Sequence, residues 1–194
     1  DDGYESYYSE AFPVLKEYGF PSVNFVIAGR LRDTADRKRE KMIPPLTHLQ
    51  LKEMLRSGIV DIASHTYSLH GQGESSEWGL LESGTAPVYL EDLHRVEEDY
   101  EYRDRLFVDF QLSRVALEEI LGKRVTSLSF PHGYNNEVVL EILKEAGFRY
   151  AFTSVPAVVK PGVDPYQIPR FDVGMSHIDV SRLHQLFTAA RSHS

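Results

Sequence analysis

Two histidines, His65 and His70, stand five residues apart just after a short apolar run, in the segment DIASHTYSLHG. On a helix, about 100° per residue would place them roughly 140° apart, and on a strand an odd spacing sends two side chains to opposite faces. Only a turning segment would bring the two rings together. The pair is therefore either two unrelated histidines or two ligands carried by a loop.

Other polar residues also follow predicted strands. Pro131, His132, Gly133 and Tyr134 come after the run that ends at Phe130, and Gly174 and His177 come after a strand predicted around 166–173. Asp1 and Asp2 open the chain and would also lie at a strand end if a strand preceded them. Active sites of parallel α/β folds gather at the carboxyl ends of strands. We therefore expect these segments to face one rim.

The residue types at this rim are those of a hydrolytic metal site. One carboxylate and two imidazoles suit zinc, cobalt, nickel or iron, with coordination positions left for water and substrate. A second carboxylate beside such a set can act as a general base. Taken singly, each piece has an ordinary interpretation, because adjacent aspartates are usually solvated and FPHGY is usually a turn. Their joint placement favours the metal site.

A recurring pattern predicts the elements that position these residues. Three times, a helix that contains Leu-Lys-Glu is followed by a glycine and a short apolar strand, which is typical of a helix that ends in a left-handed residue. The predicted strands are 23–27, 59–63 and 150–153. A fourth helix before Gly122 presents one face, made of Leu106, Phe110, Ser113, Leu117 and Leu121, and a strand is predicted at 124–130. This alternation indicates a parallel α/β sheet or barrel.

Length and composition fit a single domain that spans residues 1–194. The segments 30–45 and 71–87 interrupt the pattern and are predicted to be insertions within it. The formal net charge is −8, from 21 basic and 29 acidic residues, which argues against nucleic acid as a partner. The absence of cysteine excludes disulfides, thiolate zinc sites and a thiol nucleophile. No apolar run approaches the ~20 residues of a membrane span.

Three motifs resemble those of the polysaccharide deacetylases, the NodB-homology domains of carbohydrate esterase family 4. They are DDG at 1–3, SHTYSLH at 64–70 and SFPHGYN at 129–135. The intervals between them and the LKEAGF unit also match, so the resemblance covers nearly the whole chain. Four residues between the histidines, where the family usually has three, resemble the branch that deacetylates poly-β-1,6-N-acetylglucosamine. The resemblance implies a distorted (β/α) TIM-like barrel whose first strand is truncated here, so we expect further residues before Asp1.

The same resemblance assigns roles position by position. Asp1 matches the catalytic base, and Asp2, His65 and His70 match the ligands of one divalent metal ion, with zinc expected first and cobalt, nickel or iron as alternatives. His132 stands where the family usually has a tyrosine whose backbone N–H helps to form the oxyanion hole. The expected substrate-binding residues belong to the same motif and are Pro131, Tyr134 and Asn135.

Two positions depart from the family pattern. Ser129 stands where the family usually has an arginine that holds the base, and we expect Arg170 of YQIPRFDV to substitute for it. For the histidine general acid the chain offers His177 and His184. His184 lies in a predicted helix, where a surface histidine is ordinary, so His177 is preferred.

The activity that the resemblance implies is metal-dependent removal of acetyl groups from N-acetylglucosamine units of an extracellular or cell-surface polysaccharide of the β-1,6-linked type. Peptidoglycan or chitin oligomers are the alternative substrates, and a non-catalytic, metal-stabilised carbohydrate-binding module is the alternative function. The segment 75–81 carries Trp78, Leu80 and Leu81. These side chains either pack against the flank of the domain or form an exposed loop near the site that contacts a membrane or a glycan.

Overall fold

The computed structural model describes residues 1–32, 43–174 and 177–192. In chain order the helices and strands are α1 (Phe12–Tyr18), β1 (Ser22–Val26), α2 (His48–Arg56), β2 (Val60–Ser64), β3 (Gln72–Glu74), β4 (Leu81–Ser83), β5 (Tyr89–Leu90), β6 (Arg95–Val96), α3 (Asp99–Leu121), β7 (Ser127–Ser129), α4 (Glu137–Glu145), β8 (Tyr150–Phe152) and α5 (Val180–Ser192). A π-helical turn, Tyr7–Ala11, precedes α1. Short 3₁₀ turns cover Ala28–Arg30, Glu91–Leu93 and Pro131–Gly133.

A parallel sheet in the order β1-β2-β7-β8 forms the centre of the fold. Strands β1 and β2 pair over five residues, from Ser22 opposite Val60 to Val26 opposite Ser64. Strand β7 pairs with β2 at one position and with β8 over three. Because all four strands are parallel, their carboxyl ends lie at the same edge of the sheet. The segments after β1, β2, β7 and β8 therefore meet there.

The helices cover the sheet through apolar faces, and the sequence spacing predicts the one on α3. The face of α3 buries Tyr102, Leu106, Phe110 and Leu117, together with the polar Asp109 and Ser113. Helix α2 begins with a capping box between Thr47 and Gln50, and Asn136 caps α4 by accepting the Val139 N–H at 2.9 Å. These caps satisfy amide groups that a helix start would otherwise leave unpaired.

The α/β class with a parallel sheet is confirmed, and so are the three repeated units. Strands β1, β2 and β8 follow α1, α2 and α4, each after a glycine with positive φ. The fourth helix ends at Leu121 as predicted, and the strand predicted at 124–130 is shorter, at Ser127–Ser129. Within the described ranges, the four strands form an open sheet and do not by themselves close a barrel.

The strand predicted around 166–173 is wrong. Within these residues the structure has a single parallel bridge, between Phe152 and Ile168. The Ile168 N–H donates to the Ala151 carbonyl, and its own carbonyl accepts the Thr153 N–H. Pro169 follows and has no N–H to continue a ladder, so the segment runs beside β8 without becoming a strand.

The two predicted insertions differ. Residues 71–87 contain an antiparallel hairpin, β3–β4, whose base is closed by the Gly84 N–H donating to the Gly71 carbonyl at 2.8 Å. A second small antiparallel pair, β5–β6, follows it. Most of the segment 30–45 lies outside the described residues. None of the described helices combines the length and the apolar character needed to cross a membrane.

Candidate active site

Asp2, His65 and His70 converge at the carboxyl edge of the sheet. The Asp2 Oδ1 atom lies 3.4 Å from His65 Nε2 and 2.9 Å from His70 Nε2. One ligand atom from each of the three residues lies within 4.8 Å of the other two. The two imidazole rings are 5.1 Å apart between centroids. The five-residue spacing is therefore reconciled by a loop, as one of the two interpretations of the sequence requires.

His65 is held rigidly because it continues directly from β2. Its side chain is buried, with only 2% of the residue exposed. Its backbone N–H donates to the Val26 carbonyl, and its Nδ1 lies 2.8 Å from the Ser129 carbonyl oxygen. A carbonyl can only accept, so Nδ1 carries the proton and the neutral ring directs an unprotonated Nε2 toward Asp2.

His70 reaches the same point from the far end of the loop. Thr66, the first residue after His65, has a φ of 70°, which turns the chain out of the strand direction. The Thr66 N–H donates to the Ser64 hydroxyl, and Ser64 in turn contacts Ser113 of α3. Ser64 therefore helps to orient the loop, in the way that short hydroxyl side chains commonly do.

The protonation states of Asp2 and His65 are suited to binding a cation. Burial lowers the pKa of His65, which favours the neutral form of that ring. A neutral His65 whose Nδ1–H is already donated cannot give Asp2 a proton. Asp2 Oδ1 is itself buried without a hydrogen-bond donor. Two or more lone pairs that face each other in a buried space are stabilised by a shared cation, and one carboxylate with two imidazoles is a common donor set for a divalent metal.

Asp1 lies beside this cluster and is engaged by Arg170. Arg170 Nη1 and Nη2 each lie 3.0 Å from a different oxygen of the Asp1 carboxylate. Ser129 joins the contact, since its hydroxyl accepts from Arg170 Nη2 at 2.7 Å and donates to Asp1 Oδ2 at 3.3 Å. Arg170, which we expected from the sequence to hold Asp1, thus hydrogen-bonds to the Asp1 carboxylate, and Ser129 bridges the two side chains.

Arg170 is positioned by contacts other than Asp1. Its Nε donates to the Thr153 carbonyl at 3.0 Å, and its guanidinium lies 5.4 Å from the Phe25 ring centroid and 6.0 Å from that of Phe152. Such cation–π distances add to the fixation of the group. A cavity of about 410 Å³ opens beside the pair. The described residues that line it are Asp1, Ser154, Arg170, Phe171, Asp172, Val173 and Gly174.

The segment 131–135 forms a turn against the loop of His70. The His132 Nε2 donates to the His70 carbonyl at 3.0 Å, and the two rings are 4.9 Å apart. The Pro131 carbonyl accepts from the Ser83 hydroxyl and the Tyr134 carbonyl accepts from Thr85, which ties the turn to the end of the hairpin. The Asn135 amide donates to the Gly133 carbonyl.

The two candidate general acids are both exposed and lie in different parts of the chain. His177 is exposed in a turn, three residues after Gly174, the last described residue that lines the cavity. His184 is exposed on α5, which agrees with the interpretation of His184 as a surface residue.

Sequence reasoning missed one buried residue near the cluster. Asp109 of α3 is 5% exposed and accepts hydrogen bonds from the loop between the two histidines. The signal was available, because Asp109 stands three residues after Leu106 and next to Phe110, on the helix face that the sequence assigns to the core. A carboxylate on such a face needs hydrogen-bond donors from another element.

The chain is similar to known proteins over most of its length. The family model described as Polysaccharide deacetylase matches residues 1–151. The poly-beta-1,6-N-acetyl-D-glucosamine N-deacetylase of Staphylococcus aureus (strain MSSA476) is 26% identical over 170 residues, which cover 88% of this chain and 51% of that protein. The chain thus spans about half the length of the curated relatives that it matches.

The fold is found in solved structures of other deacetylases. The BpsB deacetylase domain from Bordetella bronchiseptica has a TM-score of 0.78 and 29% identity, over 88% of this chain and 68% of that one. A de-N-acetylase from Aggregatibacter actinomycetemcomitans has a TM-score of 0.83 and 27% identity, over 96% of this chain and 72% of that one. With more than half of its residues matched by the family model, the chain belongs to the polysaccharide deacetylase family.

Proposed function

We propose that this chain is a metal-dependent N-deacetylase that removes acetyl groups from N-acetylglucosamine units of an extracellular polysaccharide, with poly-β-1,6-N-acetylglucosamine as the first candidate. The observation that carries the proposal is the clamped carboxylate of Asp1 beside the cluster of Asp2, His65 and His70. A held base next to a set of metal ligands is the arrangement that amide hydrolysis needs. The named relative from S. aureus supports the choice of glycan.

Asp2, His65 and His70 would hold the metal ion. Zinc is the first choice for this donor set, and cobalt, nickel or iron are the alternatives. When bound, the ion would polarise the acetamide carbonyl and make a water molecule more acidic. The Ser129 carbonyl, through His65 Nδ1, would keep the His65 ring in the tautomer that a ligand requires.

The other residues act on protons and on the developing charge. Asp1 would accept a proton from the water that attacks the acetamide carbon, and Arg170 would keep Asp1 ionised and aligned. Because the His132 side chain is already bonded to the His70 carbonyl, its backbone N–H is the group proposed for the oxyanion. His177 is the proposed acid that protonates the departing amine. The products are acetate and a free glucosamine nitrogen.

Substrate contacts are proposed for Pro131, Tyr134 and Asn135, which lie in the turn beside His70. The hairpin gives a second contact surface. Trp78 is 86% exposed, and Leu80 and Leu81 are also exposed, so the interpretation in which they pack against the flank is wrong. We propose that segment 75–81 contacts a membrane surface, which suits a protein that acts at the cell surface or outside the cell.

Acetate release tests the function directly. The protein, loaded with zinc or cobalt, would be incubated with β-1,6-linked and β-1,4-linked N-acetylglucosamine oligomers, with Asp1→Asn as the inactive control. Acetate from the β-1,6 oligomers is the expected result. Acetate from the β-1,4 oligomers alone would favour the peptidoglycan or chitin alternative. Glycan binding without acetate release under any metal would favour a carbohydrate-binding module.

A further inference from the structure

The segment between the two histidines has backbone groups that no helix or strand satisfies. Residues 66–68 follow the end of β2, and Thr66 has a positive φ, so the chain leaves the sheet at this point. Within the described residues, the amide groups of Tyr67 and Ser68 donate to no backbone carbonyl. Backbone amides this close to a buried cluster need acceptors, since an unpaired buried N–H destabilises the fold.

Asp109 of α3 supplies those acceptors. Its Oδ1 accepts the Tyr67 N–H at 2.8 Å, and its Oδ2 accepts the Ser68 N–H at 2.8 Å. The Ser68 hydroxyl also donates to Oδ2 at 2.8 Å. Both carboxylate oxygens are therefore used by two successive residues of the segment. The contact joins positions 42 residues apart in sequence, so it fixes the segment to a helix of the core.

The opposite edge of the segment is bonded as well. The Thr66 carbonyl accepts the Ala28 N–H at 3.0 Å, and the Tyr67 carbonyl accepts the Gly29 N–H at 2.9 Å. A side chain at Gly29 would lie 2.5 Å from the Tyr67 oxygen, so only glycine allows this approach. The amides are thus held from α3 and the carbonyls from the turn after β1. The segment is therefore hydrogen-bonded along both of its edges.

The ionised form of Asp109 is the one that these contacts use. Burial raises the pKa of Asp109, while the bonds from Tyr67 and Ser68 act in the opposite direction. The nearest cation on the same helix, Arg105, is engaged by Glu97 and by the carbonyls of Gly84 and Ala86. Asp109 therefore accepts its hydrogen bonds from Tyr67 and Ser68. Burying a carboxylate is unfavourable in free energy compared with burying an apolar side chain. The presence of Asp109 here therefore points to a role for the geometry that it maintains.

We propose that Asp109 is a positioning residue that presents His70 to the metal, because it fixes the segment between His65 and His70. The inference rests on the proposed function of the cluster as a metal site. His65 does not depend on Asp109, since it is held by Val26 and Ser129. His70 depends on the path of residues 66–68 to bring its Nε2 to 2.9 Å from Asp2. Asp109 thus sets metal affinity through the second ligand and does not touch the reacting atoms.

The test is metal binding by Asp109→Asn. Asparagine has the same shape, but it replaces one acceptor oxygen with an NH₂ group that faces the donors of Ser68. Residues that support metal ligands typically contribute about 10- to 100-fold to metal affinity, and a weakening of that size is expected for zinc or cobalt in a chelator competition assay. The loss of activity should be larger at limiting metal than at saturating metal. The matched control is Asp104→Asn, the same change at an exposed position of α3.

Three results would separate the possible explanations. Unchanged affinity in folded Asp109→Asn, with only a lower melting temperature for the metal-free protein, would overturn the inference and leave a structural role. A wild-type chain that binds no divalent metal would refute the metal site and the inference together. If Asp109→Asn does not fold, the metal affinity of Ser68→Ala tests the inference instead. It removes one of the three bonds, so a several-fold loss of affinity supports the inference and unchanged affinity overturns it.

Discussion

Arg170 and Asp1 face each other through two parallel hydrogen bonds of 3.0 Å, although 169 positions separate them in sequence. The contact brings the segment after β8 to the start of the chain, with Ser129 of β7 between them. A planar guanidinium matches the two oxygens of a carboxylate, which fixes both its direction and its charge.

Arg170→Ala should lower kcat/KM by roughly 10- to 100-fold, the size expected for the loss of hydrogen bonds to a charged group worth about 1.5–3 kcal/mol. The acid limb of the pH–rate profile should move to higher pH, because a carboxylate without its cation is protonated more readily. Arg170→Lys is the matched variant, since it keeps the charge but not the two-pronged contact. Equal profiles for the wild type and Arg170→Ala would show that the contact has no part in the reaction.

Asp1→Asn should retain the metal and lose most of the activity. The substitution preserves the shape of the side chain but removes the proton acceptor, and general acid–base groups typically contribute about 10²- to 10⁴-fold. Metal content and acetate release should be measured on the same preparation. His70→Ala is the complementary control, because it should lower metal content as well as rate. Near-normal turnover by Asp1→Asn would rule out Asp1 as the base.

Trp78→Ala combined with Leu81→Ser should weaken binding to liposomes while activity on a short oligomer stays close to that of the wild type. Burying two large apolar side chains is worth about 1.5–3 kcal/mol each, so the partition coefficient should fall at least about tenfold. Phe20→Ala with Leu49→Ser is the matched control, since both of those side chains are exposed elsewhere on the domain. A double hairpin variant that binds liposomes like the wild type would contradict the membrane contact.

The buried hydroxyl of Tyr102 should make the folded state less stable at alkaline pH. Its hydroxyl donates to the Thr85 carbonyl at 2.7 Å and accepts from Asn136, and burial raises the pKa of Tyr102 to about 12. An unfolded tyrosine loses its proton near pH 10, whereas the folded one keeps it, so the unfolded state binds fewer protons between these values. Stability from Tyr102 is therefore present below pH 10 and is lost as the pH rises toward 12.

Urea unfolding at intervals between pH 9 and pH 12 measures this effect. In the window above pH 10, the free energy of unfolding of the wild type should fall by up to about 1.4 kcal/mol per pH unit more than that of Tyr102→Phe. Below pH 10 the difference between the two proteins should be constant. Parallel curves throughout would mean that Tyr102 titrates normally in the folded state.

The regular part of the fold was predictable because its signals are local. A helix, a glycine and a short apolar run occur within some fifteen residues, and each unit formed as predicted at β1, β2 and β8. The strand predicted around 166–173 is absent because Pro169 has no N–H to continue the ladder beyond the bridge at Ile168. Where the hairpin β3–β4 lies, the sequence predicts only an insertion, since Gly- and Ser-rich segments give little strand signal.

The sequence predicts the residue types of the candidate site, but not the hydrogen bonds that join residues from different elements. The spacing of His65 and His70 required a loop, and the structure has one. Neither the bridging position of Ser129 nor the contact of Asp109 with Tyr67 and Ser68 could be derived from spacing, because each joins residues more than 40 positions apart. Long-range polar contacts depend on how the elements pack, which a single sequence does not state.

The closed base of the hairpin has a consequence for how this domain could diversify. The Gly84 N–H donates to the Gly71 carbonyl, and a side chain at Gly84 would lie 2.6 Å from the Leu69 oxygen, so the two ends of residues 71–84 are fastened together directly after His70. The residues between β3 and β4 can therefore be lengthened, shortened or exchanged without displacing the histidine. The segment is therefore a natural grafting point, where a new recognition loop could be installed while the chemistry beneath it is left intact.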